Sequence, residues 1–396
     1  MRGVSGRALV GLAAGLTAAG VATAAGLAAD RLTRARVSER GVDPSDGLAG
    51  YDEVADQEMV VVTDDGVPLH VEIDLPQGLP EAVPDGAAVP TVVFSHGYTL
   101  NRRCWVFQRR AVKAAGYRVV VWDARGHGLS GVGASDDYDI DRLGHDLGEV
   151  IAATTPDGPL VLVGHSMGGM TMMALAKDDH GLVHRRVIGA GFIATSPGGL
   201  SAVHWGLGNV LGRVVHSIGP KAVGQLAGRQ ALVTSARRAG KEVEAFLVER
   251  YSFGSPVPAS IVQLMADMIF GTSLEVMSSY MPAFDRHDER AALAQFHGVE
   301  TLVLNGVQDL LTPPEHSEEI VRLVPGAEHV LVNHAGHIVM LEHPDLVNEQ
   351  LLGLLQRAMR GAEHPGVTSP RVRREVTDMT KRADGGARLG RRLGVS

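Results

Sequence analysis

The chain has 396 residues, of which 45% are hydrophobic and 21% charged, so its length fits one large globular domain with an insertion, or two domains. The formal net charge is −8, with basic residues in excess in segments 1–40 and 361–396 and an acidic body between them, which argues against nucleic-acid binding. Cys104 is the only cysteine, so intrachain disulfides and cysteine-rich metal sites are excluded.

The first predicted element is an uncharged, Ala/Gly-rich run at residues 8–29, within the basic N-terminal region 1–40. Its length suits a bilayer-spanning helix, and the arginines after it would keep the following domain cytoplasmic. A positive start and the small residues Ala22-Thr23-Ala24 also fit a cleaved secretory signal, which would make the protein secreted. A poorly ordered tail is a third interpretation. We therefore expect membrane association through residues 8–29, with secretion as the alternative.

A linker at 41–57 leads into a pattern of strands and helices. Two apolar runs, 58–63 and 67–75, flank Asp64-Asp65-Gly66 and predict an antiparallel hairpin. Further predicted strands are 91–95, 118–122, 160–163, 187–194, 301–305 and 328–332, and the predicted helices are 102–115, 141–153 and 167–177. This alternation predicts an α/β fold with a doubly wound, mostly parallel sheet and ligands beyond the carboxyl ends of its strands.

The alternation stops between residues 198 and 290, where helical stretches such as 240–250 and 259–270 have no strand between them. This insertion predicts a helical cap over the active site, dividing the core into residues 58–197 and 291–360. Four methionines of the cap suit either an adaptable pocket lining or ordinary core packing; they are Met265, Met268, Met277 and Met281. The polar, basic tail 361–396 lacks periodicity and is predicted to be disordered.

Ser166 is the candidate nucleophile. It stands between a short run of branched aliphatic residues and a predicted helix, on a tight strand-to-helix turn. Such a turn needs small residues two positions before and after the serine, and Gly164 and Gly168 supply them. The turn would expose the hydroxyl beside helix N-terminal N–H groups. A glycine-rich turn with an incidental serine is the alternative interpretation.

A serine needs a base to activate it and a third group to orient that base. Asp309 and His337 each follow a predicted strand, so both fall at the same sheet edge as Ser166, and the order Ser, Asp, His is the one expected for this architecture. Asp309 could instead cap the helix after Pro313-Pro314. His337 is preferred to the competing histidines because it follows a glycine and directly precedes an apolar helix start; the competitors are His329, His334 and His343. No metal-ligand spacing is present, so no metal site is expected.

The oxyanion of the transition state would be held by two backbone N–H groups. Met167 follows the nucleophile and supplies one, while Gly97 permits a turn that swings the N–H of Tyr98 inward as the other. His96 is expected to brace this loop by hydrogen bonds. The stretch 123–130 predicts a structural loop held by Asp123 and Arg125, rather than a phosphate-binding glycine loop. Cys104 is expected to be a packing residue.

These motifs together resemble the α/β-hydrolase superfamily. The matching pieces are Ser-His-Gly-Tyr at 95–98, Asp-Ala-Arg-Gly-His-Gly-Leu-Ser at 123–130, Gly-His-Ser-Met-Gly-Gly at 164–169, Asp309 and Ala-Gly-His at 335–337. The resemblance spans about residues 58–358 and implies an eight-stranded sheet with a cap inserted after the sixth strand. The serine motif is similar to the esterase, lipase and monoacylglycerol-lipase branches and to cofactor-free haloperoxidases. Epoxide hydrolases and dehalogenases of this fold carry Asp in place of Ser166.

We therefore expect a serine hydrolase that cleaves carboxylic esters through an acyl-enzyme and needs no cofactor. The substrate is expected to be a small-molecule ester or a lipid such as a monoacylglycerol. Hydrolytic C–C cleavage or haloperoxidase-type perhydrolysis on the same triad is the enzymatic alternative. A non-catalytic binding protein with the same fold is the alternative of another class. The sequence does not specify an oligomeric state.

Overall fold

The computed structural model describes residues 48–78, 88–134, 137–200, 251–363 and 373–378. The predicted N-terminal run 8–29 and the cap stretch 240–250 lie outside these ranges, as do most of the linker and most of the tail. Among the described residues, no single helix is long and apolar enough to cross a membrane, and one pair of cap helices passes the same test only as a pair bent by 88°.

Nine strands form one sheet in the order β1-β2-β4-β3-β5-β6-β7-β8-β9. The strands are β1 (Gln57–Val62), β2 (Pro68–Asp74), β3 (Thr91–Ser95), β4 (Arg118–Trp122), β5 (Leu160–His165), β6 (Val187–Ile193), β7 (Glu300–Gly306), β8 (Glu328–Val332) and β9 (Arg374–Val376). β2 runs antiparallel to both β1 and β4, whereas every other pair is parallel. The predicted α/β class, the hairpin and the mostly parallel sheet are thus confirmed.

The ninth strand corrects the expectation of an eight-stranded sheet, and it shows that residues 374–376 of the tail predicted to be disordered form a strand. Residues 374–376 pair in parallel with Val330, Leu331 and Val332 of β8, and Arg374 forms an ion pair with Glu328. The open edge of β8 offers unpaired backbone groups, which this short segment satisfies. Three residues are too few to show a hydrophobic period, so the sequence pattern contains no sign of the strand.

The described helices surround the sheet. They are α1 (Val106–Ala114), α2 (Ile140–Thr154), α3 (Met167–Asp178), α4 (His180–Arg186), α5 (Ala259–Gly271), α6 (Leu274–Arg286), α7 (Pro314–Leu323), α8 (Val339–Glu342) and α9 (Pro344–Glu363), with 3-10 turns at Leu48–Tyr51, Arg102–Trp105 and Ala292–Phe296. The predicted helix 102–115 therefore begins as a 3-10 turn, and Gly116, at φ +88°, follows its end. The central strands β3 and β5 are buried along their whole length, because helices cover both faces of a parallel sheet.

The long insertion lies between β6 and β7. Its described part holds α5 and α6 and a single antiparallel bridge between Gly198 and Asp288. Of the four cap methionines, Met265, Met268 and Met277 are buried.

The side chain of Arg125 joins the loop after β4 to the helix α2 and to the β1–β2 turn. Arg125 has no exposed surface and donates to Asp146 of α2 and to Asp65 of the β1–β2 turn, each at 2.7 Å. Burial by itself would lower the pKa of Arg125, but these two carboxylates raise it above its usual value. Its backbone carbonyl also accepts from the hydroxyl of Tyr280 in α6 at 3.2 Å. The loop after β4 is therefore a structural junction.

Candidate active site

Ser166 occupies a sharp turn between β5 and α3. Its backbone has φ 50° and ψ −117°, a conformation that residues with a side chain rarely adopt. A Cβ on Gly164 would lie 2.4 Å from the backbone of Gly168, and one on Gly168 would lie 2.1 Å from the carbonyl oxygen of Ser95. Only glycine fits these two positions, and the strained turn holds Ser166 at the carboxyl end of the sheet.

Two neighbours on and after β6 hold this turn. The N–H of Ser166 donates to the carbonyl of Ile193 at 3.0 Å, and the hydroxyl of Thr195 donates to the carbonyl of Ser166 at 2.6 Å. Thr195 is a residue that the sequence does not predict to act at this site. No local motif marks it, because its partner lies 29 residues earlier in the chain.

Asp309 and His337 are in direct contact. Nδ1 of His337 lies 2.9 Å from Oδ2 of Asp309, and both side chains are buried. The other oxygen, Oδ1, accepts the N–H groups of Leu311 and Thr312 at 2.8 and 2.9 Å. The alternative prediction is wrong: the helix α7 begins after Pro313 without a side-chain cap, and Asp309 instead organises its own turn and contacts the imidazole.

Thr312 is a further member of this group that sequence reasoning missed. Its hydroxyl donates to Oδ2 of Asp309 at 2.8 Å and lies 3.3 Å from Nδ1 of His337. Asp side chains in turns commonly accept a hydrogen bond from the backbone two residues on, so the sequence could have suggested that Asp309 organises this turn, but not that Thr312 contacts His337.

The loop that carries His337 reaches Ser166 through His165. Nε2 of His165 donates to the backbone carbonyl of His337 at 3.0 Å, and the two rings lie 4.7 Å apart. Because Nδ1 of His337 faces Asp309, Nε2 is the nitrogen left for Ser166. Within the described part of the chain, Ser166 and His337 have no direct hydrogen bond, and such bonds often shorten only once substrate binds.

The loop after β3 lies against the same turn. A Cβ on Gly97 would lie 2.6 Å from Nδ1 of His165 and 3.3 Å from Cβ of Ser166. Among the described residues, no protein group accepts a hydrogen bond from the backbone N–H of Tyr98 or of Met167. Both N–H groups are thus free of protein acceptors, as donors that hold a developing oxyanion must be.

Two buried histidines support this loop. Nε2 of His96 accepts the N–H of Ala124 at 2.9 Å, and its Nδ1 lies 2.7 Å from the carbonyl of Gly97. His127, which the sequence analysis did not single out, accepts the N–H of Thr99 at 3.1 Å. Burial lowers the pKa of His96 to about 4 and that of His127 to about 3, so both rings are neutral at pH 7.

The remaining residues singled out in the sequence lie outside this group. His329 contacts the hydroxyl of Ser317, His343 contacts Asp378, and His334 is exposed.

Cys104 is buried, which raises its thiol pKa well above the usual range. Asp123 accepts from the backbone and side chain of Arg102 at 2.8 and 2.7 Å, as a structural loop requires. Across the described residues, no group of three or more His, Cys, Asp or Glu side chains could hold a metal ion.

A family model and curated relatives match this chain. A model of the alpha/beta hydrolase family matches residues 92–350. The chain is 28% identical over 279 residues to the dihydrolipoyllysine-residue acetyltransferase component of the acetoin cleaving system of Pseudomonas putida, covering 67% of this chain and 63% of that protein, less than two thirds of its length. It is also 28% identical over 259 residues to the sn-1-specific diacylglycerol lipase ABHD11 of Mus musculus, covering 65% of this chain and 78% of the lipase.

A solved structure shows the same fold. The esterase of Exiguobacterium antarcticum superposes with a TM-score of 0.57 at 19% identity, covering 76% of this chain and all of the esterase. At this identity the likeness concerns the fold alone.

Proposed function

We propose that this chain, which belongs to the alpha/beta hydrolase family and is a hydrolase, cleaves carboxylic esters with Ser166, His337 and Asp309 as its catalytic triad. The single observation that supports this most is the buried contact between His337 and Asp309. A hydrogen bond joins the loop that carries His337 to His165, the residue before Ser166. The contact with Asp309 orients an imidazole with one nitrogen free for the serine.

The reaction has two halves. The Oγ of Ser166 attacks the ester carbonyl while Nε2 of His337 takes the hydroxyl proton. The N–H groups of Tyr98 and Met167 stabilise the oxyanion of the tetrahedral intermediate. The intermediate then breaks its bond to the alcohol, which leaves with the proton from His337. Water, deprotonated by the same nitrogen, attacks the acyl-enzyme and releases the acid, restoring the serine hydroxyl.

The carboxylate of Asp309 acts through His337. It stabilises the imidazolium that forms in each half and keeps the proton of neutral His337 on Nδ1. The hydrogen bonds that Asp309 accepts from Leu311 and Thr312 hold the carboxylate in place for this role.

The proposed substrate is an ester with an apolar acyl chain. Support comes from the cap helix α5, whose buried side chains include Ile261, Leu264, Met265 and Met268, and from the similarity to a diacylglycerol lipase. We further propose that residues 8–29 associate the enzyme with a membrane and leave its catalytic domain cytoplasmic.

Turnover of p-nitrophenyl esters with acyl chains of increasing length tests this proposal. Ser166→Ala should lower kcat by about 10³-fold or more, because the nucleophile is lost. Ser317→Ala is the matched control. It removes another serine hydroxyl, one that contacts His329, and should keep wild-type turnover.

Other outcomes would contradict the proposal. Retained turnover in Ser166→Ala would remove Ser166 from the mechanism. Failure of a fluorophosphonate probe to label Ser166 in the folded protein would contradict its role as nucleophile. A preference for β-diketone or peroxide and acetate substrates over simple esters would favour the C–C hydrolase or perhydrolase alternative.

A further inference from the structure

A buried carboxylate stands five residues after His337. Glu342 ends the short helix α8 and is 1% exposed. Its Oε2 accepts the N–H of Gly336 at 2.7 Å and the N–H of Gly254 at 3.1 Å, and its Oε1 accepts the N–H of Ser255. Charge-assisted hydrogen bonds of this kind are about twice as strong as neutral ones.

These donors come from two separate parts of the chain. Gly336 directly precedes His337, whereas Gly254 and Ser255 belong to the segment that leads into the cap helix α5. The carboxylate of Glu342 therefore joins the histidine loop to the base of the cap.

Close backbone packing accompanies this junction. A Cβ on Gly254 would lie 2.6 Å from the carbonyl carbon of Ala335, and the N–H of Ile338 donates to the carbonyl of Ser252 at 2.9 Å. On its other side, the histidine loop packs on the end of β7, where a Cβ on Gly306 would lie 2.3 Å from the carbonyl oxygen of Gly336. The loop is held between the Asp309 side of the site and the cap segment.

We propose that Glu342 is a positioning residue that sets the place of His337 by fixing both Gly336 and the cap segment 252–255. Its effect on catalysis rests on the function proposed above. The role requires a carboxylate, because both oxygens must accept from N–H groups. A glutamine of the same shape would present its own N–H groups to one of these donors and would leave that donor unpaired.

The test compares Glu342→Gln with Glu328→Gln. Glu328 is another buried carboxylate of the same half of the core, but it forms ion pairs with Arg357 of the helix α9 and with Arg374 of the edge strand β9. Three quantities are measured in each variant: kcat and KM for p-nitrophenyl acetate, the downfield Nδ1 proton resonance of His337, and hydrogen exchange over 252–258 and 335–341.

We expect Glu342→Gln to lower kcat by about 10- to 100-fold with little change in KM, because a small displacement of the base slows proton transfer more than it weakens binding. The resonance should shift or broaden, and exchange should accelerate in both segments. Glu328→Gln should leave the resonance and kcat as in the wild type. A Glu342→Gln variant whose resonance and kcat match those of Glu328→Gln overturns the proposal.

A second variant keeps the proposal testable if Glu342→Gln does not fold. Gly254→Ala leaves the carboxylate intact but pushes the cap segment away from Ala335, and it should shift the same resonance. An unchanged resonance in this variant would also overturn the proposal. The resonance and the exchange rates need no turnover. If the wild type hydrolyses no ester while the resonance still responds to Glu342→Gln, the proposed function fails and the positioning role stands.

Discussion

At the scale of single residues, backbone crowding around Ser166 dominates the site. The strained conformation of Ser166 persists because β3, β5 and α3 approach each other at glycines. The helix α3 begins one residue after the serine, so the positive end of its dipole lies at Ser166.

Substitution of Gly168 tests this crowding. In Gly168→Ala, the new Cβ would meet the backbone of Ser95 and His96, which cannot move as a flexible side chain could. We expect a loss of about 1–3 kcal/mol in the free energy of unfolding and slower fluorophosphonate labelling of Ser166. Urea denaturation and labelling rates measure the two effects.

Gly361→Ala is the matched control, since a Cβ there would meet nothing within 4 Å and the position is helical. Its urea midpoint should equal or exceed that of the wild type, because alanine favours helix. A Gly168→Ala protein as stable as this control would show that the turn is not crowded.

Residue roles differ in how far the sequence predicts them. The glycines around Ser166 follow from the needs of the turn, and the structure places them where a Cβ does not fit. Thr195, Thr312 and Glu342 were missed. Each contacts a site loop through one hydrogen bond or a few, and such contacts leave no periodic or local pattern.

At the scale of elements, helix α6 of the cap rests on the loop after β3. The hydroxyl of Tyr98 donates to the carbonyl of Met277 at 2.8 Å, and the ring of Tyr98 packs edge-on against Phe284 and Tyr280 at 5.1 and 6.0 Å. Burial raises the pKa of Tyr98 well above its usual value, so the hydroxyl stays protonated and remains a donor.

Removal of this hydroxyl should loosen α6. Tyr98→Phe keeps the ring packing but leaves the carbonyl of Met277 without this donor, at a cost of about 1 kcal/mol in stability. We expect faster hydrogen exchange over residues 274–286, measured by mass spectrometry on the native protein.

Tyr117→Phe serves as the control for this change. It removes a hydroxyl that contacts the sulfur of Met359 at 3.4 Å, so exchange over 274–286 should stay as in the wild type. Equal protection of α6 in Tyr98→Phe and the wild type would show that ring packing alone holds the helix.

The sequence predicts most elements well but not every boundary or every strand. Branched aliphatic runs identify the buried parallel strands, because both faces of those strands need apolar side chains. The strand β9 escaped prediction, since pairing with the open edge of β8, not its own composition, makes it a strand.

At the scale of the whole molecule, buried titratable groups make stability depend on pH. His96 and His127 stay neutral in the fold because burial lowers their pKa values to about 4 and about 3. Burial alone would raise the pKa of Glu72, but the hydrogen bond from His70 and the charges of Arg102 and Arg109 outweigh it and lower that pKa to about 2.

All three pKa shifts make the fold less stable as the pH falls. Between pH 6.5 and about 4 the unfolded chain binds a proton at His96 that the folded chain does not, so the free energy of unfolding falls as pH falls. The window of His127 extends to about pH 3. For Glu72, the free energy of unfolding falls between pH 4.5 and about pH 2, because protonation of the carboxylate removes the charge that its contacts stabilise.

We therefore expect the urea midpoint to fall steadily between pH 7 and pH 4. His96→Gln should reduce the dependence of the free energy of unfolding on pH by at most about 1.4 kcal/mol per pH unit, the contribution of one proton. Urea titrations at half-unit intervals measure it. A slope in His96→Gln equal to that of the wild type would show that His96 does not bind a proton on unfolding.

The amino-acid sequence by itself determined the α/β class, the mostly parallel sheet and the serine turn, because those features depend on local patterns: apolar runs, glycine at fixed offsets and the order of Ser166, Asp309 and His337. Only the tertiary structure decided which side chains hold these residues in place. Thr312, Glu342 and His127 act across gaps in the chain, where position depends on how loops and helices pack on the finished sheet. Such contacts are made in three dimensions, so no one-dimensional pattern contains them.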